Sequence, residues 1–192
     1  MSFKENGFEV VRGKFGKELV DCIATQFRII RDGCSAALGD IDFGDNLIKK
    51  SFSMYSPIFS EALMLSLHKD YEKILERELY PCYSYARIMY KGASMRKHQD
   101  RASCQYSVTI CISEDIPYPI FIEDKKNVEH EVHLNPGDVL FYNGTRLQHW
   151  RNEYEGKEHI QAFVHYVDAN GPFKDYKFDK RPYLGLPLST RK

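Results

Sequence analysis

The triplet His98-Gln99-Asp100, within Arg96-Lys97-His98-Gln99-Asp100-Arg101, constrains this chain more than any other stretch. On a strand, side chains at i and i+2 leave the same face, so the His98 imidazole and the Asp100 carboxylate can reach one metal ion together. A third ligand must come from elsewhere, and His149, in Leu147-Gln148-His149-Trp150-Arg151, is the best placed. Any fold that uses this set must bring two segments far apart in sequence to one point. A His-x-Asp triplet arises often by chance, so its context decides its weight.

That context is β-rich. Tyr83-Ser84-Tyr85-Ala86-Arg87-Ile88-Met89-Tyr90 precedes the triplet and Tyr106-Ser107-Val108-Thr109-Ile110-Cys111-Ile112 follows it, and both read as half-buried strands. Further short strands are expected at Pro119 to Ile122, Val128 to Leu134, Asp138 to Tyr142 and His159 to Val167, with a tight turn at Asn135-Pro136-Gly137-Asp138. Many short strands in succession predict a sandwich or jelly roll. Two His and one carboxylate with open positions opposite are the arrangement of non-haem Fe(II) oxygenases, although the same donors accept several divalent ions.

The segment from about Tyr83 to Asp168 resembles the Fe(II)/2-oxoglutarate-dependent dioxygenases, in particular their prolyl-4-hydroxylase-like branch. The resemblance lies in an ordered set: a strand, the step Tyr90-Lys91-Gly92-Ala93, His98-x-Asp100, a second strand, a Pro-Gly-Asp turn into an apolar strand, then His149. It implies a mainly β chain with N-terminal helices (α+β) built on a double-stranded β-helix, the jelly-roll or cupin-like core. The expected layout is one domain over 1–192, with a helical buttress at 1–80, the metal-carrying core at 82–168 and an extension at 169–192 packed on that core. The implied activity is hydroxylation of an unactivated C–H, in a prolyl or other amino-acid side chain, with release of succinate and CO2. Fe(II) would be held by His98, Asp100 and His149, with 2-oxoglutarate and O2 as cosubstrates.

One element of the family pattern is missing. A basic residue some nine or ten positions after the distal His normally binds the far carboxylate of 2-oxoglutarate, and Glu158 and His159 stand there instead. Three anchors are open: a protonated His159, Lys157 through a local bulge, or Arg151. A one-residue slip would turn Lys157 to the other face of a strand. Arginine's planar fork suits a carboxylate best, whereas position favours His159. Gln161 and His165 would share the face of His159, and Tyr90 could add a neutral donor. The missing anchor motivates two alternatives, a non-catalytic metal-binding jelly-roll sensor or an iron oxygenase that does not use 2-oxoglutarate.

The chain has 192 residues, 43% of them hydrophobic, and zero formal net charge. No dense Lys/Arg run suggests nucleic acid or anionic membrane, so the expected partner is a small-molecule or peptide substrate. Arg87, Arg96, Arg101, Arg151 and Trp150 lie near the motifs and could meet it. The start has no secretory pattern and no run approaches the ~20 apolar residues of a membrane span, so a soluble, cytoplasmic protein is expected. Cys22, Cys34, Cys82, Cys104 and Cys111 lack Cys-x-x-Cys spacing and read as reduced thiols.

Lys17 to Ala37 carries Leu19, Ile23, Phe27 and Ile30 at helical spacing, with Gly39 after its end. A loop is expected over Gly39 to Phe52, then a Ser56 N-cap with Pro57 at the first helical position, and a helix from Ile58 to Leu79 ended by Pro81. The aromatic tail, Phe173, Tyr176, Phe178, Arg181, Pro182 and Tyr183, is expected to pack back over the domain.

Overall fold

Glu158 to Asp168 forms a strand buried on both faces, and the two faces differ in chemistry. Ile160, Ala162, Val164 and Tyr166 belong to one apolar cluster, while His159, Gln161, Phe163 and His165 leave the opposite face. A period of two separates these sets, so one face meets helices and the other lines an interior with polar walls.

The computed structural model describes residues 2–38 and 47–185. In chain order its elements are α1 (Phe3–Asn6), β1 (Phe8–Val11), α2 (Lys17–Leu38), β2 (Ser51–Tyr55), α3 (Ile58–Leu75), β3 (Leu79–Tyr90) and β4 (Met95–His98). A 3-10 turn (Ala102–Cys104) leads to β5 (Tyr106–Glu114), β6 (Ile120–Glu123), β7 (Glu129–Val132), β8 (Val139–Tyr142), β9 (His149–Arg151) and β10 (Glu158–Asp168). A second 3-10 segment, Lys174–Lys180, follows.

The strands form two antiparallel sheets, ordered β1-β8-β5-β10-β3-β2 and β4-β9-β6-β7. Together they make the double-stranded β-helix expected from the sequence. Val20, Ile23 and Phe27 of α2 and Leu63, Met64, Leu67 and Tyr71 of α3 cover the outer face of the larger sheet, against Val108, Ile110, Ile160, Ala162 and Val164. Phe27 and Leu67 are fully buried there, each such side chain contributing roughly 1.5–3 kcal/mol of transfer free energy. A second cluster between the sheets joins Phe8, Leu140 and Tyr142 to Ile120, Ile122, Val132 and Leu147. No helix among the described residues is long and apolar enough to cross a membrane.

Several boundaries depart from the sequence expectation. The helix from Ile58 stops at Leu75 with Glu76 in the left-handed region at φ 53°, and Pro57, not Ser56, is its N-cap. Leu79 and Pro81 belong to β3, where Pro81 pairs Tyr166 just past a register shift; a bulge of this kind accommodates a residue with no N–H to donate. Ser51 and Phe52 begin a strand rather than ending a loop, because β2 pairs with β3 from Ser51↔Met89 to Tyr55↔Tyr85. β1 was not foreseen; its four residues pair with β8. Gly39 and the loop as far as residue 46 lie outside the described residues.

The turn at Asn135-Pro136-Gly137-Asp138 is present, with the Asp138 N–H donating to the Asn135 carbonyl at 2.9 Å. Gly137 has φ +93°, and a Cβ there would run into the Phe15 carbonyl. Only glycine suits both conditions. The tail packs on the larger sheet: Tyr55 donates to Asp179 at 2.6 Å, and a buried Arg181 pairs with Glu61 at 2.7 Å.

Candidate metal centre

β4 and β9 bring the two histidines together, with His98 and His149 directly opposite in the ladder and their ring centroids 4.4 Å apart. Asp100 does not share the strand as expected, since β4 ends at His98. Its position is set instead by its backbone N–H, which donates to the Gly144 carbonyl at 2.8 Å. Asp100 Oδ1 then lies 3.5 Å from His98 Nε2 and 3.6 Å from His149 Nε2. One donor atom from each residue falls within 4.8 Å of the others.

The other ring nitrogens are already committed. His98 Nδ1 donates to the Arg96 carbonyl at 2.9 Å and His149 Nδ1 to the Leu147 carbonyl at 3.1 Å. Each bond commits Nδ1 as a donor and leaves Nε2 as the atom facing Asp100, the orientation a metal-binding imidazole needs. Burial would raise the Asp100 carboxyl, but His149 and His98 outweigh it and hold the group well below the usual carboxylate range. Burial lowers His98, but its bond to Asp100 raises it on balance, so in the metal-free protein a proton holds this pair. A divalent metal such as Fe(II) would take the place of that proton, and two imidazoles with one carboxylate suit it.

A cavity of about 160 Å³ opens beside these atoms, walled by Tyr83, Tyr85, Met95, Ile120, Tyr142, Phe163 and His165, with Arg87 also in its lining. A larger cleft of about 600 Å³, bordered by Lys4, Glu9, Arg77, Arg146 and Asp168, touches none of the three donor residues. Cys104 borders the small cavity, but burial pushes its thiol up to about 12, so it is not a thiolate. All five cysteines are free.

The structure separates the three candidate anchors. Lys157 is exposed, with its backbone N–H on Asp115 at 2.8 Å, and does not reach the interior. Tyr90 does not reach it either. It pairs with Glu158, packs on the helix-facing cluster and interacts with Arg31. Glu158 is itself held from α2 by Arg28 and Arg31, both at 2.7 Å.

His159 does face the interior, at 1% exposure, with Nδ1 3.8 Å from Glu114 Oε2, but in the ligand-free protein it is neutral: burial first, then the neighbouring Arg151 charge, hold its pKa well below the ordinary value. Arg151 leaves β9 on the same buried face as His149, while Trp150 between them turns outward and stacks on Phe121. Its guanidinium donates to the Tyr118 carbonyl and lies 4.7 Å over the Tyr118 ring. Among the described residues no carboxylate forms a direct ion pair with it, although the Glu114 charge acts on it at longer range. Both ring nitrogens of His159 and Oε1 of Gln161 are also buried without a hydrogen-bond partner, although Gln161 Nε2 reaches Thr109 at 3.1 Å. An unpaired cation and orphaned polar atoms in one interior are costly unless a ligand satisfies them. A carboxylate on Arg151 fits that deficit.

Ser107, missed in the sequence, also contributes: its Oγ donates to Asp100 Oδ2 at 3.0 Å and lies 2.9 Å from His165 Nδ1. The parity of β5, which puts Ser107, Thr109 and Cys111 on one face, was the available signal.

No family model matches this sequence, and no curated protein sequence does. Solved structures match its fold. A prolyl-4-hydroxylase from Pseudomonas putida superimposes with TM-score 0.68 at 12% identity, over 86% of this chain and 95% of that one. HygX from Streptomyces hygroscopicus, solved with nickel and 2-oxoglutarate bound, gives 0.68 at 14% identity, over 88% and 85%. The epimerase SnoN, in complex with Fe3+, alpha ketoglutarate and nogalamycin RO, gives 0.71 at 11% identity, over 96% and 89%. The chain therefore has the double-stranded β-helix fold of the Fe(II)/2-oxoglutarate-dependent oxygenases.

Proposed function

We propose that this protein is an Fe(II)- and 2-oxoglutarate-dependent oxygenase that hydroxylates an unactivated C–H of a small molecule or of an amino-acid side chain such as proline. The observation that carries the reading is the convergence of His98 Nε2, His149 Nε2 and Asp100 Oδ1, with both Nδ1 atoms tied to backbone carbonyls. Its fold is shared with a hydroxylase and with an epimerase, so fold alone does not select the reaction.

His98, His149 and Asp100 would hold the metal beside the cavity. Arg151 takes the far carboxylate of 2-oxoglutarate, as a bidentate fork suits that group. His159, neutral, and Gln161 line the same interior and can hydrogen-bond there without adding charge. Tyr142, Ile120 and Phe163 exclude water from the reacting end. When bound, iron with 2-oxoglutarate and O2 supplies the oxidising chemistry that converts C–H to C–OH as the oxoacid leaves as succinate and CO2. An anchor at Arg151 supports this reading over a sensor that lacks one.

Anaerobic titration of the apoprotein with Fe(II) and then 2-oxoglutarate tests the reading. A weak visible charge-transfer band on adding the oxoacid is expected. Iron binding without that band sinks the cosubstrate assignment, and no iron binding sinks the metal centre.

A further inference from the structure

Asp100 poses a problem that the two histidines do not. It lies beyond the end of β4 and no ladder fixes it, while the terminal torsion of a carboxylate is soft and roughly two-fold. Left free, it could present either oxygen, or both, to a metal. Its two oxygens nevertheless have different surroundings: Oδ1 faces the histidine Nε2 atoms, and Oδ2 faces Ser107.

Ser107 is fully buried and has one hydroxyl hydrogen for three candidate acceptors, Asp100 Oδ2 at 3.0 Å, the Cys104 carbonyl at 3.2 Å and His165 Nδ1 at 2.9 Å, and it also meets the Tyr142 side chain, whose hydroxyl can donate to Oγ. An ionised carboxylate only accepts, and it is the strongest acceptor of the three and closer than the carbonyl. Ser107 therefore donates to Asp100. His165 Nδ1 must then carry the hydrogen and donate to Ser107 Oγ, which fixes the His165 tautomer. Burial keeps that imidazole neutral, pushing it down to about 4, and the Tyr83 ring lies against it at 4.6 Å. Tyr83 is in turn placed by a 3.1 Å contact between its hydroxyl and Cys104 Sγ.

We propose that Ser107 and His165 are positioning residues, a two-step hydrogen-bond relay that holds Asp100 by Oδ2 so that Oδ1 alone is presented to the metal. The proposal rests on Asp100 being a metal ligand. Each bond in the relay polarises the next, and the chain ends on a charged acceptor, the setting in which such bonds are strongest.

The test is Co(II) titration of the apoprotein, followed by its visible absorption, beside thermal melting of each variant. Ser107→Ala is expected to weaken Co(II) binding by about 10- to 100-fold, the usual cost of losing a residue that orients a ligand, and to change the Co(II) spectrum. Two substitutions at His165 separate positioning from packing. His165→Phe keeps a ring against Tyr83 but has no N–H, so it is expected to bind Co(II) several-fold more weakly. His165→Asn keeps an N–H near the Nδ1 position and loses the ring, so it is expected to retain affinity while melting lower. The relay is overturned if Ser107→Ala and His165→Phe bind as the parent does while Asp100→Ala loses binding. It is equally overturned if affinity in the His165 pair simply follows melting temperature. Failure of the parent protein to bind Co(II), or parent-like binding by Asp100→Ala, removes the ligand reading and the relay with it.

Discussion

Asp100 donates its backbone N–H to the carbonyl of Gly144, and a methyl group on Gly144 would overlap the Asp100 carboxylate, the Cys104 carbonyl and the Ser107 hydroxyl. The loop before β9 thus approaches the candidate metal site as closely as a glycine allows. Gly144→Ala is expected to push Asp100 Oδ1 away from the histidines. Isothermal titration should show divalent-metal affinity falling at least tenfold, with a stability loss of about 1–3 kcal/mol from overpacking.

Arg151 gives a prediction with two opposite signs. A buried charge lacking a partner costs free energy that an apolar residue of similar volume does not. Arg151→Met should leave the ligand-free protein as stable as the parent, or more stable by about 1–4 kcal/mol in urea unfolding. The same variant should need far more 2-oxoglutarate, because removing one partner of a charged hydrogen-bonded pair costs about 2–5 kcal/mol of binding. His159→Ala, which removes no charge, should shift that requirement much less. A destabilised Arg151→Met with unchanged cosubstrate binding would contradict the assignment.

Buried histidines set an acid limit on the apoprotein. Burial holds His165 at about 4, and burial with the Arg151 charge holds His159 well below the ordinary value. Both folded-state values lie under the unfolded value of about 6.5, so on acidification the unfolded chain binds protons first. The contribution of these two histidines is intact above pH 6.5 and is lost as the pH falls toward 4, by roughly 3 kcal/mol for His165. Melting temperatures measured across that window should fall, and His165→Phe should flatten the slope.

The tail is fastened by a buried ion pair. Arg181 has a fully buried side chain, and its Nη2 lies 2.7 Å from Glu61 Oε1 in α3. Arg181→Ala leaves Glu61 buried and charged, which should cost about 3–5 kcal/mol in urea unfolding. Replacing both partners with apolar residues should cost less than this single change. Equal losses would mean that the pair is not what holds the segment.

His98 and His149 were legible from chain order and local strand pattern, but the i, i+2 parity expected for Asp100 is not what places it: β4 ends at His98, and the Gly144 carbonyl holds the Asp100 backbone instead. The same parity put Gln161 and His165 beside His159 on β10. Pro81 and Leu79 misled, because a helix stop and a bulged strand start look alike until β10 pairs alongside. Tyr90 turned toward α2 because Arg31 and Glu158 meet it there, contacts that no spacing encodes. Arg151 and His159 were both named as possible anchors, and sequence could not choose between them, since the choice depends on charge. The sequence by itself determined the alternation of the strands and singled out His98, Asp100 and His149 as candidate donors. Only the tertiary structure separated Arg151 from His159 as the charged one of the two, because a side chain's charge follows from its burial and from the groups that packing brings against it.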